Sequence, residues 1–355
     1  KILLVDENTI TQIVASLLAG KHILLTGAVG TGKTHLATIL PEIIWKEFNG
    51  YHVDVHTATS DWTTKDVIGG IMPKLNAKKE VTYDIDKGCV ALTVSKNWLN
   101  KKAKIRVFSN SNSNLDRSRK KFRGEWLTID EFNRANIDKS FGQLFTAIEH
   151  GNMKVPTTSQ DSSGEDLPLP KDYRIIGTLN TSDRHFLNTL SDALKRRFSI
   201  IELKPPSYEL MSAELYYVAK KSLEKISEED RKTDLEVDDE TKQLVDGKDS
   251  DAENYLKILY RIMLYIREIK PLGMSLLISV FKFMIVNHAL GKSWEESLDL
   301  AIISHVLPQL ETQSYWTLKM IRAVICNDPY SFFKTDKEFQ KANSNYLFEI
   351  EHLSN

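Results

Sequence analysis

Gly27-Ala28-Val29-Gly30-Thr31-Gly32-Lys33-Thr34 (GAVGTGKT) decides the fold of this 355-residue chain. Its spacing, G-x-x-x-x-G-K-[ST], is that of a phosphate-cradling loop, and its flanks have the required form. The apolar run His22–Thr26 (HILLT) precedes it and reads as a buried strand, and a helical pattern from Lys33 to about Phe48 follows. Glycines let successive backbone N–H groups turn inward towards an anion, and the dipole at a helix N-terminus adds to the attraction. Lys33 is expected to reach the β- and γ-phosphates of a nucleoside triphosphate, and the Thr34 hydroxyl to bind Mg²⁺. A chance glycine turn would not bring strand, helix and both polar anchors together.

Outward from the loop, the first two hundred residues alternate β-branched runs with helical patterns, the signature of a parallel α/β sheet covered on both faces. His52–Thr57, Glu125–Ile129, Tyr173–Leu179 and Ser199–Leu203 are the further strands, with helices from about Lys139 to His150 and about Phe186 to Arg196. Lys-rich and Ser/Asn-rich stretches near 74–123 read as loop and hairpin insertions, and 157–170 as a polar loop ending in proline. After Pro205-Pro206 no strand pattern is convincing. Helices are expected over 208–226, 253–269, 273–290, 294–306 and 315–326, with an acidic, solvated connector near 227–252. The expected architecture is an α/β nucleotide-binding domain over 1–205 and an all-helical lid over 206–355.

Trp126-Leu127-Thr128-Ile129-Asp130-Glu131 supplies the second half of the site. A hydrophobic strand ending in two acids delivers both carboxylates to the sheet's C-terminal edge, beside the loop. Asp130 is expected to hold Mg²⁺ through water, and Glu131 to orient and activate the attacking water. Asn180 ends the next strand, where it can sit between Glu131 and the γ-phosphate; a turn-forming asparagine is the plainer reading. Arg196 and Arg197 close the helix before the last strand. They either balance the helix dipole or reach a neighbouring subunit's γ-phosphate, and the second role requires an oligomer.

The bulk numbers narrow the partners. A formal net charge of -1 excludes a uniformly basic nucleic-acid-binding coat, yet residues 101–123 hold nine Lys/Arg against the single acid Asp116. That stretch either faces DNA or an acidic partner, or is simply a solvated surface. Two cysteines, Cys89 and Cys326, are too few for a disulfide framework and are expected to be buried thiols. No run has the roughly 18 apolar residues of a membrane span, so the expectation is a soluble, cytoplasmic chain with no membrane partner. Trp62, in the Ser/Thr-rich segment Thr57–Gly70, either anchors the core or lines the face of a ring.

Taken in order, GAVGTGKT, Ile129–Asn136 (IDEFNRAN), Asn180–Arg184 (NTSDR) and Asp192–Phe198 (DALKRRF) resemble the AAA+ branch that contains the McrB and MoxR proteins. NTSDR is similar to the Asn-Thr-Ala-Asp-Arg signature of McrB-type subunits, with Ser182 the departure. The resemblance implies Mg²⁺-dependent hydrolysis of GTP or ATP by a homo-oligomeric ring, expected as a hexamer. It further implies a McrC-like nuclease partner, with DNA reached through that partner or a domain outside this sequence. By motif, Asn133 and Arg134 match the Asn-Arg implicated in the active site and its coupling to the partner. Asp183 and Arg184 match the signature's acid and base, Asp183 as a nucleotide contact, and Arg196 and Arg197 match the subunit-crossing arginines. Many relatives carry an arginine at the start of a lid helix, whereas Lys270–Ser275 (KPLGMS) has none. A MoxR-like remodelling chaperone is the alternative, and a slow nucleotide-assembled scaffold, disfavoured by Glu131, the third reading.

Overall fold

The computed structural model describes residues 4–44, 50–75, 81–107, 122–157, 164–180, 191–224, 226–227, 233, 235–245, 250–310 and 313–326. It falls into two compact units: Glu7–Gly27 with Lys33–Leu203, and Lys1–Asp6 with Ala28–Gly32 and Lys204–Asn355.

In the first unit, α1 (Glu7–Leu18) leads into β1 (His22–Gly27), followed by α2 (Lys33–Ile43) and β2 (Tyr51–Thr57). The sheet is completed by β7 (Gly124–Asp130), β10 (Ile175–Thr178) and β11 (Phe198–Leu203), in the order β11-β1-β10-β7-β2, every pair parallel. All six residues of β1 are buried, as a central strand with helices on both faces demands. Strand order reverses direction around β1, and such a switch point opens a crevice at the strands' carboxyl ends. His22 is neutral there: burial, with Arg174 and Arg197 nearby, lowers its pKa to about 3, and its Nδ1 accepts the Ile175 N–H at 3.0 Å. α5 (Ile137–His150) is punctuated at both ends. Asn136 caps it by accepting the Lys139 N–H, and Gly151 ends it in the left-handed conformation at φ 66°.

The insertion is more ordered than a loop. The short helix α3 (Thr64–Val67) precedes a hairpin of β3 (Gly69–Leu75) and β4 (Val81–Lys87). Helix α4 (Cys89–Lys96) and a second small hairpin, β5 (Trp98–Asn100) with β6 (Ile105–Arg106), follow it. α4 went unread because its apolar residues are contiguous rather than periodic, yet Cys89, Val90, Ala91 and Val94 all enter the core. Arg106 ties the insertion down through Asp172, at 2.6 Å, and the Tyr51 hydroxyl donates to the same carboxylate at 2.9 Å. Residues 157–170 are likewise not all loop: β9 (Glu165–Pro168) pairs antiparallel with β8 (Asn152–Val155). Trp62 packs against the core beside Phe141, which favours the anchor reading. The helix expected from Phe186 is described only as α6 (Asp192–Arg197); residues 186–190 lie outside the described residues.

The second unit is built from α7 (Met211–Leu223), α8 (Ser250–Ile269), α9 (Met274–Ala289), α10 (Trp294–Ala301) and α11 (Tyr315–Ile325) around their own core. It is not all-helical. In the acidic connector, β12 (Val237–Asp238) and β13 (Gln243–Leu244) form a small antiparallel hairpin, turned where Asp238 accepts the Glu240 N–H and the Thr241 hydroxyl. The helix expected to run on to 306 ends at Ala301 and continues as a π turn over Ile302–Val306. Inside this core Glu214 is fully buried and paired with Arg267, whose Nη1 lies 2.9 Å from Oε2 and Nη2 2.6 Å from Oε1. Among the cysteines, Cys89 is buried and burial pushes its thiol up to about 12, while Cys326 is only half-buried, contrary to expectation. Among the described residues, no helix is long and apolar enough to cross a membrane.

Candidate active site

The carboxyl edge of the sheet collects the acids and hydroxyls. β1 delivers Gly27, β7 delivers Asp130 and β10 delivers Thr178, because the register aligns Leu25 with Thr178 and Gly177 with Ile129. Lys33 and Thr34 open α2 directly after the loop. The Thr34 hydroxyl donates to Asp130 Oδ1 at 2.7 Å, and the Thr178 hydroxyl donates to the same oxygen. Glu131 N–H donates to Thr178 Oγ1 at 3.2 Å. Thr178 therefore holds the Asp130 carboxylate and the backbone of Glu131 together. It is the residue sequence reasoning passed over, although it stands in the quoted strand end two positions before Asn180. Gly177 has its own reason: a Cβ there would lie 2.5 Å from Leu24 Cδ2 and 3.2 Å from the Phe132 ring.

Lys33 is buried, and its Nζ donates to the Gly27 carbonyl at 3.0 Å. Burial lowers its pKa to about 8, with Asp130 pulling the other way. Glu131 sits at φ 52°, ψ 43°, a left-handed backbone uncommon for any residue but glycine. This bend turns the chain out of β7 into the 3₁₀ turn Phe132–Arg134. It also brings the Glu131 carboxylate to Arg134, whose Nε lies 2.6 Å from Oε2. Arg134 is exposed and Asn133 half-buried in the same turn. Asn180 is half-buried just past β10, where the Leu179 N–H donates to the Leu25 carbonyl at 2.8 Å. Ser182, Asp183 and Arg184 lie outside the described residues.

In the loop, Gly30 (φ 81°) and Gly32 (φ 87°) take the positive backbone angles the turn requires. Ala28 is buried and Val29 is exposed. The Thr31 hydroxyl donates to the Ala28 carbonyl at 3.0 Å, closing the loop on itself.

The two arginines differ. Arg197 folds back on its own chain: it donates to the Ala193 carbonyl at 2.7 Å, pairs with Glu149 and lies over the Phe145 ring. Arg196 is exposed. In the basic stretch, Arg106 and Arg123 surround Asp172 and Lys101 pairs with Glu165, so part of its charge is matched within the chain. Residues 108–121 lie outside the described residues.

The oxygen set suits a hard divalent cation. Thr34 and Asp130 present a hydroxyl and a carboxylate side by side, and Mg²⁺ is characteristically held by one or two protein oxygens, substrate phosphates and water. Among the described residues no group of three or more His, Cys, Asp or Glu forms a self-sufficient metal cage. The arrangement can hold a charged phosphate chain at a helix start and present a carboxylate at its end.

Residues 22–198 match the AAA domain, dynein-related subfamily. Over 208 residues the chain is 30% identical to the type IV methyl-directed restriction enzyme EcoKMcrB subunit of Escherichia coli (strain K12), an alignment covering 57% of this chain. The chain spans 39% of that relative's length. Among solved structures, NtrX from Brucella abortus aligns with 94% of this chain and 67% of its own at 11% identity. Its TM-score of 0.44 is too low to support a shared fold. With its parallel five-stranded sheet and helical C-terminal region, the chain belongs to the AAA+ family, and its aligned residues are similar to the McrB subunit.

Proposed function

We propose that this chain hydrolyses GTP or ATP with Mg²⁺ as part of an oligomeric ring, and that the ring drives a McrC-like nuclease in DNA restriction. The observation that carries the chemistry is the Thr34–Asp130–Thr178–Glu131 chain of hydrogen bonds at the sheet's carboxyl edge. The Lys33 ammonium neutralises the phosphate oxygens, and the loop's N–H groups bind them. Thr34 and Asp130 are the residues that hold Mg²⁺, whose bound form supplies further charge neutralisation at the phosphates. The Glu131 carboxylate accepts a proton from the attacking water and orients it in line. Arg134 holds that carboxylate in the geometry seen here, so Glu131 exchanges this partner for water before each turnover. Asn180 steadies the water near the γ-phosphate, and Asp183 contributes to nucleotide binding.

A neighbour's arginine completes the site in trans, and its exposure makes Arg196 the better candidate. The restriction role rests on the E. coli relative and the NTSDR signature. Steady-state hydrolysis of GTP and ATP, measured side by side for the wild type and Glu131→Gln, tests the reading. Turnover is expected to fall at least about a hundredfold in the variant while nucleotide binding survives. A variant hydrolysing at the wild-type rate would assign the base elsewhere. Preference for GTP supports the McrB-like motor, and preference for ATP moves weight to a MoxR-like remodelling activity.

A further inference from the structure

The amino end of α9 is pressed against the phosphate loop, and both belong to the same compact unit, which takes in Ala28–Gly32. Two glycine-sized gaps make the fit possible. A Cβ on Gly273 would lie 2.2 Å from the Gly30 carbonyl carbon, 2.4 Å from its oxygen and 2.5 Å from the Val29 oxygen. A Cβ on Gly30 would lie 1.8 Å from Ser275 Oγ, so that hydroxyl fills the space a side chain at Gly30 would need. The Ser275 N–H donates to the Gly30 carbonyl at 3.3 Å. Gly273 itself is buried, and Ser275 is exposed on the open side of the contact.

We infer that Gly273 and Ser275 are positioning residues of the nucleotide site, setting the loop's phosphate-binding backbone through Gly30. The inference rests on the reading of this loop as the phosphate cradle. A trans peptide is planar, so the Gly30 carbonyl and the Thr31 N–H point in opposite directions. Holding the carbonyl against α9 turns the Thr31 N–H into the loop, where it faces the Ala28 carbonyl at 3.4 Å. That long, weak bond is readily exchanged for a phosphate oxygen. The loop thus keeps an N–H aimed inward before nucleotide arrives, and the helical unit supplies the hold. Where Lys270–Ser275 offers no arginine, it offers a backbone clamp.

A double-mutant cycle on the full chain tests this, using Kd for N-methylanthraniloyl-GTP and -ATP by fluorescence and thermal unfolding of each form. Gly30→Ala suffers both a left-handed alanine and collision with Ser275, and Ser275→Gly removes only the collision. The expected result is that Ser275→Gly restores Kd in the Gly30→Ala background by about tenfold, a coupling of ~1.4 kcal/mol. Additive Kd effects overturn the inference, as does rescue confined to thermal stability, which is what mere packing predicts. If Gly30→Ala does not fold, Gly273→Ala carries the test: Kd about tenfold weaker supports the clamp. Unchanged Kd in folded Gly273→Ala overturns it. Lys33→Ala separates the two readings. Loss of binding there keeps the phosphate cradle whatever the cycle gives, and undiminished binding removes the cradle itself.

Discussion

Raising the pH should weaken nucleotide binding through a single proton on Lys33. Burial brings its pKa down to about 8, and only the ammonium form neutralises phosphate. Binding selects that form, so Kd scales as one plus ten raised to the difference between pH and pKa. This gives a factor of about 1.1 at pH 7, about 2 at pH 8 and about 11 at pH 9. Between pH 7 and pH 9 the loss is therefore about tenfold, or ~1.4 kcal/mol. An ordinary lysine, titrating near ~10.4, would give a change of only a few per cent over the same range. The terminal phosphate, with a second pKa near ~6, is already ionised and contributes nothing to the slope.

Folding stability runs the other way. Between about 8 and the usual value of 10.5 the unfolded chain holds a proton that the folded chain does not, so Lys33 adds stability as pH rises through this window. Weaker binding at pH 9 is thereby distinguished from alkaline unfolding. Isothermal titration calorimetry at pH 7 and 9, in buffers of different ionisation enthalpy and with excess Mg²⁺, counts the protons taken up. Lys33→Arg, charged throughout, should bind with a flat pH profile. A Kd ratio below about twofold in the wild type, with no proton uptake at pH 9, would refute the reasoning.

Three further substitutions probe other parts of the molecule. Arg196→Ala should cut kcat by about 10³ at unchanged melting temperature, whereas Arg197→Ala should lower stability by ~0.5–1 kcal/mol through loss of its Glu149 and Phe145 contacts; kcat and thermal melts on assembled protein would show the opposite pattern if Arg197 is the finger. Glu214→Ala strands the buried Arg267 guanidinium and should cost ~3–5 kcal/mol in urea unfolding of the full chain, with a loss under about 1 kcal/mol contradicting the buried-pair assignment.

The sheet was legible because its strands are short runs rich in apolar and β-branched residues. β1, β2, β7 and β11 lie within a residue or two of where HILLT, HVDVHT, EWLTI and SIIEL suggest. Helix α2 stops at Ile43 rather than running on to Phe48, with Pro41 already in its last turn and residues 45–49 outside the described residues. α1 was not legible: only Ile13 and Leu17 of its twelve residues are buried, too thin a stripe to stand out. The β12–β13 hairpin spends two residues on each strand, too few for alternation to show. At the site, Lys33, Thr34, Asp130 and Glu131 could be named because each sits at a fixed place on a strand end or helix start. Thr178 could not, because its importance comes from register: only pairing β10 with β7 brings its hydroxyl to Asp130 and to the Glu131 amide. The Ser275–Gly30 contact is invisible for the same reason, since nothing local to either residue points to the other.

The left-handed backbone of Glu131 has an evolutionary cost. A residue held at φ 52° without being glycine stores about 1 kcal/mol or more of conformational strain. Glycine, or asparagine, would relieve it at that position and make the chain sturdier, at the loss of the one carboxylate the turn presents. On the role proposed for Glu131, selection for thermostability alone would therefore drift away from catalysis at this codon. A hardened variant obtained that way would be a nucleotide-binding protein that no longer turns over.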